Sequence, residues 1–342
     1  MRDFQQPGRS AAYGRSGMAA TSHPAATQTA LAVLERGGNA MDAAIAAVAV
    51  QSVVEPAMTG IGGDCFCLYA PAGGDRIIAF NGSGRAPAGA TLAAYREASK
   101  GPQIPRRSAM AVTVPGAVDA WTRLLADHGT MSLADVLAPA IGFARDGYVV
   151  TPRVARDWRE NAAFLAGDEF AADLFLPGGK PPEAGDIHAQ LALAVTLERI
   201  AREGRSAFYE GSVAEDIVGR LRALGGVHTL ADFAAASGEY VEPIRTTFRG
   251  HDVYECPPNG QGLIALLILN ILSRFPAEGD PLGPDRLQVE IEATRLAYAV
   301  RDAILADPSH AGVDVARVLS EEFAAELAAR ITIGGRPAEL PS

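Results

Sequence analysis

From residue 24 onward, apolar residues recur at helical spacing and are interrupted by glycine and proline. Pro24 suits a first helical position, and Ala25–Arg36 reads as a helix stopped by Gly37-Gly38. Asn39 then caps a second helix, with Asp42 three residues on in capping-box register. Its positions Ala40, Ala43, Ala44, Ala47, Val48 and Val54 are small, which lets a helix lie close against its neighbours, and Glu55-Pro56 ends it. Gly60-Ile61-Gly62-Gly63 follows. Cys65–Tyr69 and Arg76–Phe80 then predict two strands of a hairpin turning through Pro71-Ala72-Gly73-Gly74. Asn81 to Pro87 is a loop by composition.

The middle of the chain predicts helices. Pro115-Gly116 opens Val118–Asp127, and Ser132 with Asp135 forms a capping box for a helix towards Arg145. Pro177–Glu183 is a polar break. His188–Arg202 and Val213–Leu224 read as amphipathic helices, and Thr229-Leu230-Ala231-Asp232 starts another. A second hairpin is expected from Ile244–Phe248 and His251–Cys256, turning at Arg249-Gly250. Pro257 to Gly262 leads into an apolar helix, Leu263–Leu272. A long helix, Pro284–Leu305, follows, with Leu287, Ile291, Thr294 and Tyr298 spaced by three and four, and a short helix covers Glu321–Arg330. The expected fold class is α/β (α+β).

Composition changes this picture only by exclusion. The 342 residues, 48% hydrophobic and 20% charged, describe an ordered globular chain. Thirty basic against forty acidic side chains leave a net charge of −10, which opposes non-specific nucleic-acid binding. Met1–Ala20 lacks the apolar run of a signal peptide. The most apolar stretch, Ala40–Val54, carries Asp42 and Gln51 and falls short of the ~20 residues that a membrane span needs. The expectation is a cytoplasmic protein without a membrane partner. Cys65, Cys67 and Cys256 make no disulfide framework and lack zinc spacing, so they read as small buried residues.

Catalytic signatures are incomplete. The glycines at 60, 62 and 63 stand between a helix and a strand, the reverse of a phosphate-binding strand–loop–helix order. None of the histidines has zinc-protease spacing, and no Gly-x-Ser-x-Gly elbow occurs. Met1 cannot act as an N-terminal nucleophile. The residues alone leave two options open: a binding or structural module, or one part of a divided enzyme.

Several segments in order resemble one family. They are Gly37–Ala44, Gly60–Gly63, Arg85-Ala86-Pro87-Ala88, Val114-Pro115-Gly116, Gly129-Thr130-Met131, Ala144–Gly147 and Cys256-Pro257-Pro258. Over about Gly17 to Ile333 the chain resembles the large subunit of γ-glutamyltransferases, or glutathione hydrolases, and within them a divergent branch similar to oxamate amidohydrolase. That resemblance implies an autoprocessed N-terminal-nucleophile hydrolase, an αββα four-layer sandwich completed by a second chain. It implies residues 1–16 as an extension, 17–333 as a single large-subunit domain and 334–342 as a linker to the autocleavage site. The partner is a small subunit whose first residue, a Thr, attacks an amide carbonyl while its own amine takes the proton. No catalytic residue is therefore expected on this chain, and neither metal nor cofactor is implied. The substrate class is a small acidic amide.

The family grips the substrate carboxylate with an Arg just before an Ala-Pro pair. Counted back from Ala86-Pro87, that position is Ser83, and Arg85 follows two residues later. Ser cannot make the bidentate fork of an Arg with a carboxylate. Either Gly82 and Gly84 re-route the loop so that Arg85 takes the role, or the pocket accepts a different acyl group, as in an oxamate or glutaryl amidase. The substrate-binding candidates are Arg85, Ser83 and Asn81. The plainer reading pairs Arg85 with a carboxylate such as Asp64 or Asp75, and Asp64 could instead accept from loop amides. Pro258–Gly262 reads as a loop into the core helix. A catalytically silent binding homologue is the alternative from another class.

Overall fold

A computed structural model describes residues 10–99, 101, 103–276 and 280–340. In chain order the elements begin α1 (Pro24–Glu35), α2 (Ala40–Val54), β1 (Cys65–Tyr69), β2 (Ile78–Gly82) and α3 (Leu92–Ser99). Next come α4 (Ala117–His128), α5 (Leu133–Asp146), β3 (Tyr148–Val149), α6 (Pro152–Leu165), α7 (Glu169–Phe175) and β4 (Ile187–His188). They continue α8 (Leu191–Glu203), α9 (Ser206–Tyr209), α10 (Gly211–Ala223), α11 (Leu230–Ala234) and β5 (Glu239–Val241). The last are β6 (Ile244–Phe248), β7 (His251–Glu255), α12 (Gly262–Leu272), α13 (Pro284–Ile304), α14 (Val315–Val318) and α15 (Glu321–Ala328). Mixed helix and strand, with helix in the majority, is the expected α+β class. No helix among the described residues is long and apolar enough to cross a membrane.

The chain forms two compact units, Met1–Cys65 with Gly82–Gly238, and Phe66–Asn81 with Glu239–Ser342. In the first, α2 is buried on nearly every side and packs on α1, α4 and α5. Its alanines make that possible, because small side chains let helix axes approach closely. The capping box forms as expected: Asn39 Oδ1 accepts from the Met41 and Asp42 amides, and the Asp42 carboxylate accepts from Asn39 N. The same buried carboxylate accepts from Thr130 N at 2.9 Å, Thr130 Oγ1 at 2.6 Å and Met131 N at 3.1 Å. Burial alone raises its pKa, but the hydrogen bonds from Thr130, Asn39 and Met131 outweigh burial and hold the carboxyl below the usual range.

The helix expected from His188 starts instead at Leu191. Before it, β4 pairs antiparallel with β3, Tyr148 opposite His188. Gln190 N donates to the Ala144 carbonyl at the end of α5, and Gln190 Nε2 donates to Val53 O. These long-range bonds take the turn of chain that local periodicity assigns to a helix. His188 is buried against Tyr148, Trp158 and Phe175, with the Trp158 ring centre 4.8 Å away. Burial pushes its pKa down, and that of buried His23 likewise, against a smaller opposing pull from Glu55.

In the second unit β1, β2 and β5 form one sheet in that order, β2 and β5 antiparallel with Ala79 opposite Val241. The return strand runs two residues later than the Arg76–Phe80 expectation, because the pairing with β5 reaches Asn81 opposite Glu239. β6 and β7 form the expected hairpin. Arg249 (φ 51°) and Gly250 (φ 82°) both adopt the left-handed backbone that a two-residue turn of this twist demands. The core joins Leu263, Ile264, Leu267 and Ile271 of α12 to Val289, Ala293, Leu296 and Val300 of α13 and Leu327 of α15. Cys256 is buried, while Cys65 and Cys67 are half-buried. Burial first, and the Glu255 charge second, push the Cys256 thiol up to about 11, which suits a packing role over a reactive one.

Two outcomes are expected. Asp42→Ala leaves three backbone amides and a hydroxyl without their acceptor, and should cost about 3 kcal/mol or more in chemical denaturation. Because burial makes His188 and His23 harder to protonate in the folded chain, the unfolded chain takes up protons more readily as pH falls below about 6.5. Stability is then full above that pH and declines towards pH 5. A His188→Phe variant should show a shallower decline in melting temperature across the same range.

Candidate functional site

The loop that carries two of the three expected ligands lies in the first unit. Gly63 sits at the end of the Gly60–Gly63 turn, closed by Gly63 N donating to Gly60 O at 3.1 Å. Its carbonyl accepts from Gly116 N at 3.0 Å and Ala117 N at 2.9 Å, satisfying amides at the start of α4 that have no partner within the helix. The glycine run is therefore a helix cap made by backbone. Val114 N donates to Arg85 O at 2.9 Å, and Gly84 N donates to Asp64 Oδ1 at 3.2 Å. Asp64 thus accepts from a loop amide, one of the two roles open to it from the sequence.

The glycines explain how the strands of chain come so close. A Cβ on Gly84 would stand 1.6 Å from the Val114 carbonyl oxygen, and one on Gly116 would stand 2.1 Å from the Gly82 carbonyl oxygen. Neither φ is unusual, so the requirement is space and not backbone freedom. The far end of the loop is held by Ala88 N, which donates to Asp232 Oδ1 at 2.8 Å. Asp232 also completes the capping box of α11 with Thr229. Burial opposes its ionisation, but hydrogen bonds from Ala88 and Thr229, with the nearby His228, hold its carboxyl below the usual range.

Behind this loop, Tyr209 Oη donates to Pro115 O at 2.8 Å and accepts from Asp119 N at 3.1 Å. Asp119 pairs with Arg205 at 2.7 Å and accepts from Gly238 N at 2.8 Å. Arg205 also donates to the Ala234 and Ala236 carbonyls. Residues 115 and 119 are thereby fixed by Tyr209. Sequence reasoning missed this network, because Asp119, Arg205 and Tyr209 meet only in the fold. The Val114-Pro115-Gly116 segment was visible as a motif, without its reason.

Arg85 itself is exposed, Ser83 is half-buried, and both lie on the pinned loop. Asn81 belongs to the second unit, as the buried end of β2, where its Nδ2 donates to Asn259 Oδ1 at 2.9 Å. Asn81 and Pro258–Gly262 are thus linked through this amide pair within one unit. Among the described residues no cluster of three or more His, Cys, Asp or Glu side chains is arranged to hold a metal ion.

With this geometry in view, comparison with known proteins defines the class. The described chain superposes on the crystal structure of Helicobacter pylori gamma-glutamyltranspeptidase with a TM-score of 0.87 and 29% identity, covering 97% of this chain and 95% of that one. Its fold is that of an N-terminal-nucleophile hydrolase. The family profile described as Gamma-glutamyltranspeptidase matches residues 26–339. A Bacillus subtilis (strain 168) glutathione hydrolase-like YwrD proenzyme is 40% identical over 95% of this chain and 62% of its own length. An acylase ACY 1 proenzyme from Pseudomonas sp. (strain SE83) is 38% identical over 94% of this chain and 59% of its own. The chain belongs to the gamma-glutamyltranspeptidase family, and it spans about three fifths of the length of these curated relatives.

The close threading at Gly84 gives a stability test. Gly84→Ala must push the loop off Val114 and is expected to cost about 2 kcal/mol or more in denaturant unfolding. Gly62→Ala, where an added Cβ meets nothing within 4 Å, should stay within about 0.5 kcal/mol of the parent.

Proposed function

We propose that this chain is the larger part of an autoprocessed amidohydrolase that cleaves a small acidic amide, with Arg85 gripping the substrate carboxylate. The observation that carries the two-chain reading is the contrast in coverage. The chain accounts for 95% of one chain of the Helicobacter pylori structure but only 59–62% of the relatives named as proenzymes. The missing part supplies the nucleophile, a Thr freed at the start of a small subunit. Its hydroxyl attacks the amide carbonyl and its own α-amine, with an ordinary pKa of about 7.7–8.0, takes the proton. The leaving amine departs protonated, and water or another amine releases the acyl group.

Support for Arg85 is a matter of positioning. Arg85 stands exposed on a loop whose backbone is already held by Asp64, Val114 and Asp232, so gripping a carboxylate carries no loop-ordering cost beyond that of the side chain. Ser83, at the position where the family carries its carboxylate-binding Arg, lacks the charged fork but retains a hydroxyl that can add one hydrogen bond. Asn81, the third candidate ligand, is hydrogen-bonded to Asn259 within the second unit. The Ser83 replacement and the relative named an acylase favour a second reading, an amidase that takes glutaryl- or oxamate-like acyl groups and no γ-glutamyl group.

Denaturing mass spectrometry of the purified precursor, with N-terminal sequencing, should show a second, smaller chain beginning with Thr. Arg85→Ala should raise KM for the preferred acidic amide by roughly 10- to 100-fold, the size of one charge-assisted contact, with the melting temperature unchanged. An unchanged KM removes Arg85 from the site. A panel of γ-glutamyl, glutaryl and oxamate amides decides between the two acyl specificities.

A further inference from the structure

The 21-residue helix α13 has two apolar faces, of which one is buried in the core and the other exposed. Val289, Ala293, Leu296, Ala297 and Val300 are buried in the core with α12 and α15. On the opposite side stand Leu287, Ile291 and Tyr298, exposed by 40, 57 and 43% respectively. Thr294 completes the row, and its hydroxyl is already satisfied by the Glu290 carbonyl at 2.8 Å. The spacing 287, 291, 294, 298 is four, three, four, the seam by which one helix packs along another at a shallow angle. At 1.5 Å per residue the row is about 17 Å long, three turns of a partner helix.

The charges beside the row are matched within α13. Arg286 pairs with Glu290 at 2.9 Å and Arg301 with Asp302 at 2.8 Å, while the Arg301 guanidinium lies 4.3 Å from the Tyr298 ring centre. An occupant therefore needs apolar side chains at the matching spacing and no compensating charge. A second copy of this chain is disfavoured, since each copy brings a net charge of −10. Relatives of this chain carry about two fifths of their length beyond what it spans.

We propose that the outward row Leu287, Ile291, Thr294 and Tyr298 seats an amphipathic helix of the second chain from the same precursor. This rests on the two-chain reading above and assigns the face through which that chain is gripped. The test uses the full precursor carrying Ile291→Cys or Tyr298→Cys, with Leu224→Cys, at an exposed position of the first unit, as reference. Each purified protein is treated with a maleimide under native conditions and read peptide by peptide. The expected result is at least tenfold slower labelling at 291 and 298 than at 224. A cysteine-anchored photo-crosslinker at 291 should capture a peptide of the second chain. Labelling at the reference rate in a protein that denaturing mass spectrometry shows to hold two chains overturns the proposal and leaves the two-chain reading standing. Capture of a peptide from a second copy of this chain also overturns it. A protein that holds only one chain overturns both.

Discussion

Close approach of backbone to backbone is the constraint on which the Arg85 loop depends. Gly84 and Gly116 let two segments pass at distances that no side chain permits. Once they are that close, amides and carbonyls must pair with one another, because buried polar groups without partners are costly. Gly63 caps α4 and Val114 bonds Arg85 through backbone groups, and the Asp64 carboxylate accepts from Gly84 N. The loop is thus positioned through its main-chain amides and carbonyls.

The same unit is organised around a second device, a buried carboxylate. Asp42 caps α2 and simultaneously receives the chain entering α5 at Thr130 and Met131. One ionised group therefore sets the start of one helix against the approach to another. Behind the loop, Asp119 does similar work with Arg205 and Gly238. Each carboxylate is fully hydrogen-bonded by several donors, which is how a charge with little solvent access is stabilised.

The chemistry proposed for this family member is divided between two chains. An exposed second apolar row on α13 is what a helix that packs on a partner would show. Substrate selection and the nucleophile are then physically separate responsibilities. In the proposed reading, this chain offers a pinned loop with an exposed Arg, and the second chain the reacting hydroxyl and amine.

Much of the fold was legible. The Asn39 capping box, the helix start at Thr229, the Arg249-Gly250 hairpin and the bounds of α2 and β1 follow from local rules, since caps and tight turns are made by residues a few positions apart. The ordered string of motifs also identified the family. Other features were not readable. His188 enters a strand because Tyr148 and the Ala144 carbonyl reach it from far along the chain. The spacing of Leu287, Ile291, Thr294 and Tyr298 showed an apolar stripe, yet the core took the opposite face, and a sequence with apolar residues on both sides of a helix does not say which is packed. The glycines at 84 and 116 announced freedom or proximity without naming the neighbour. By itself, then, the sequence determined the local elements and the family, through short-range hydrogen bonding and motif order. Only the tertiary structure decided which carboxylate anchors which loop and which helix face is left open, because those outcomes depend on contacts between residues far apart in the chain.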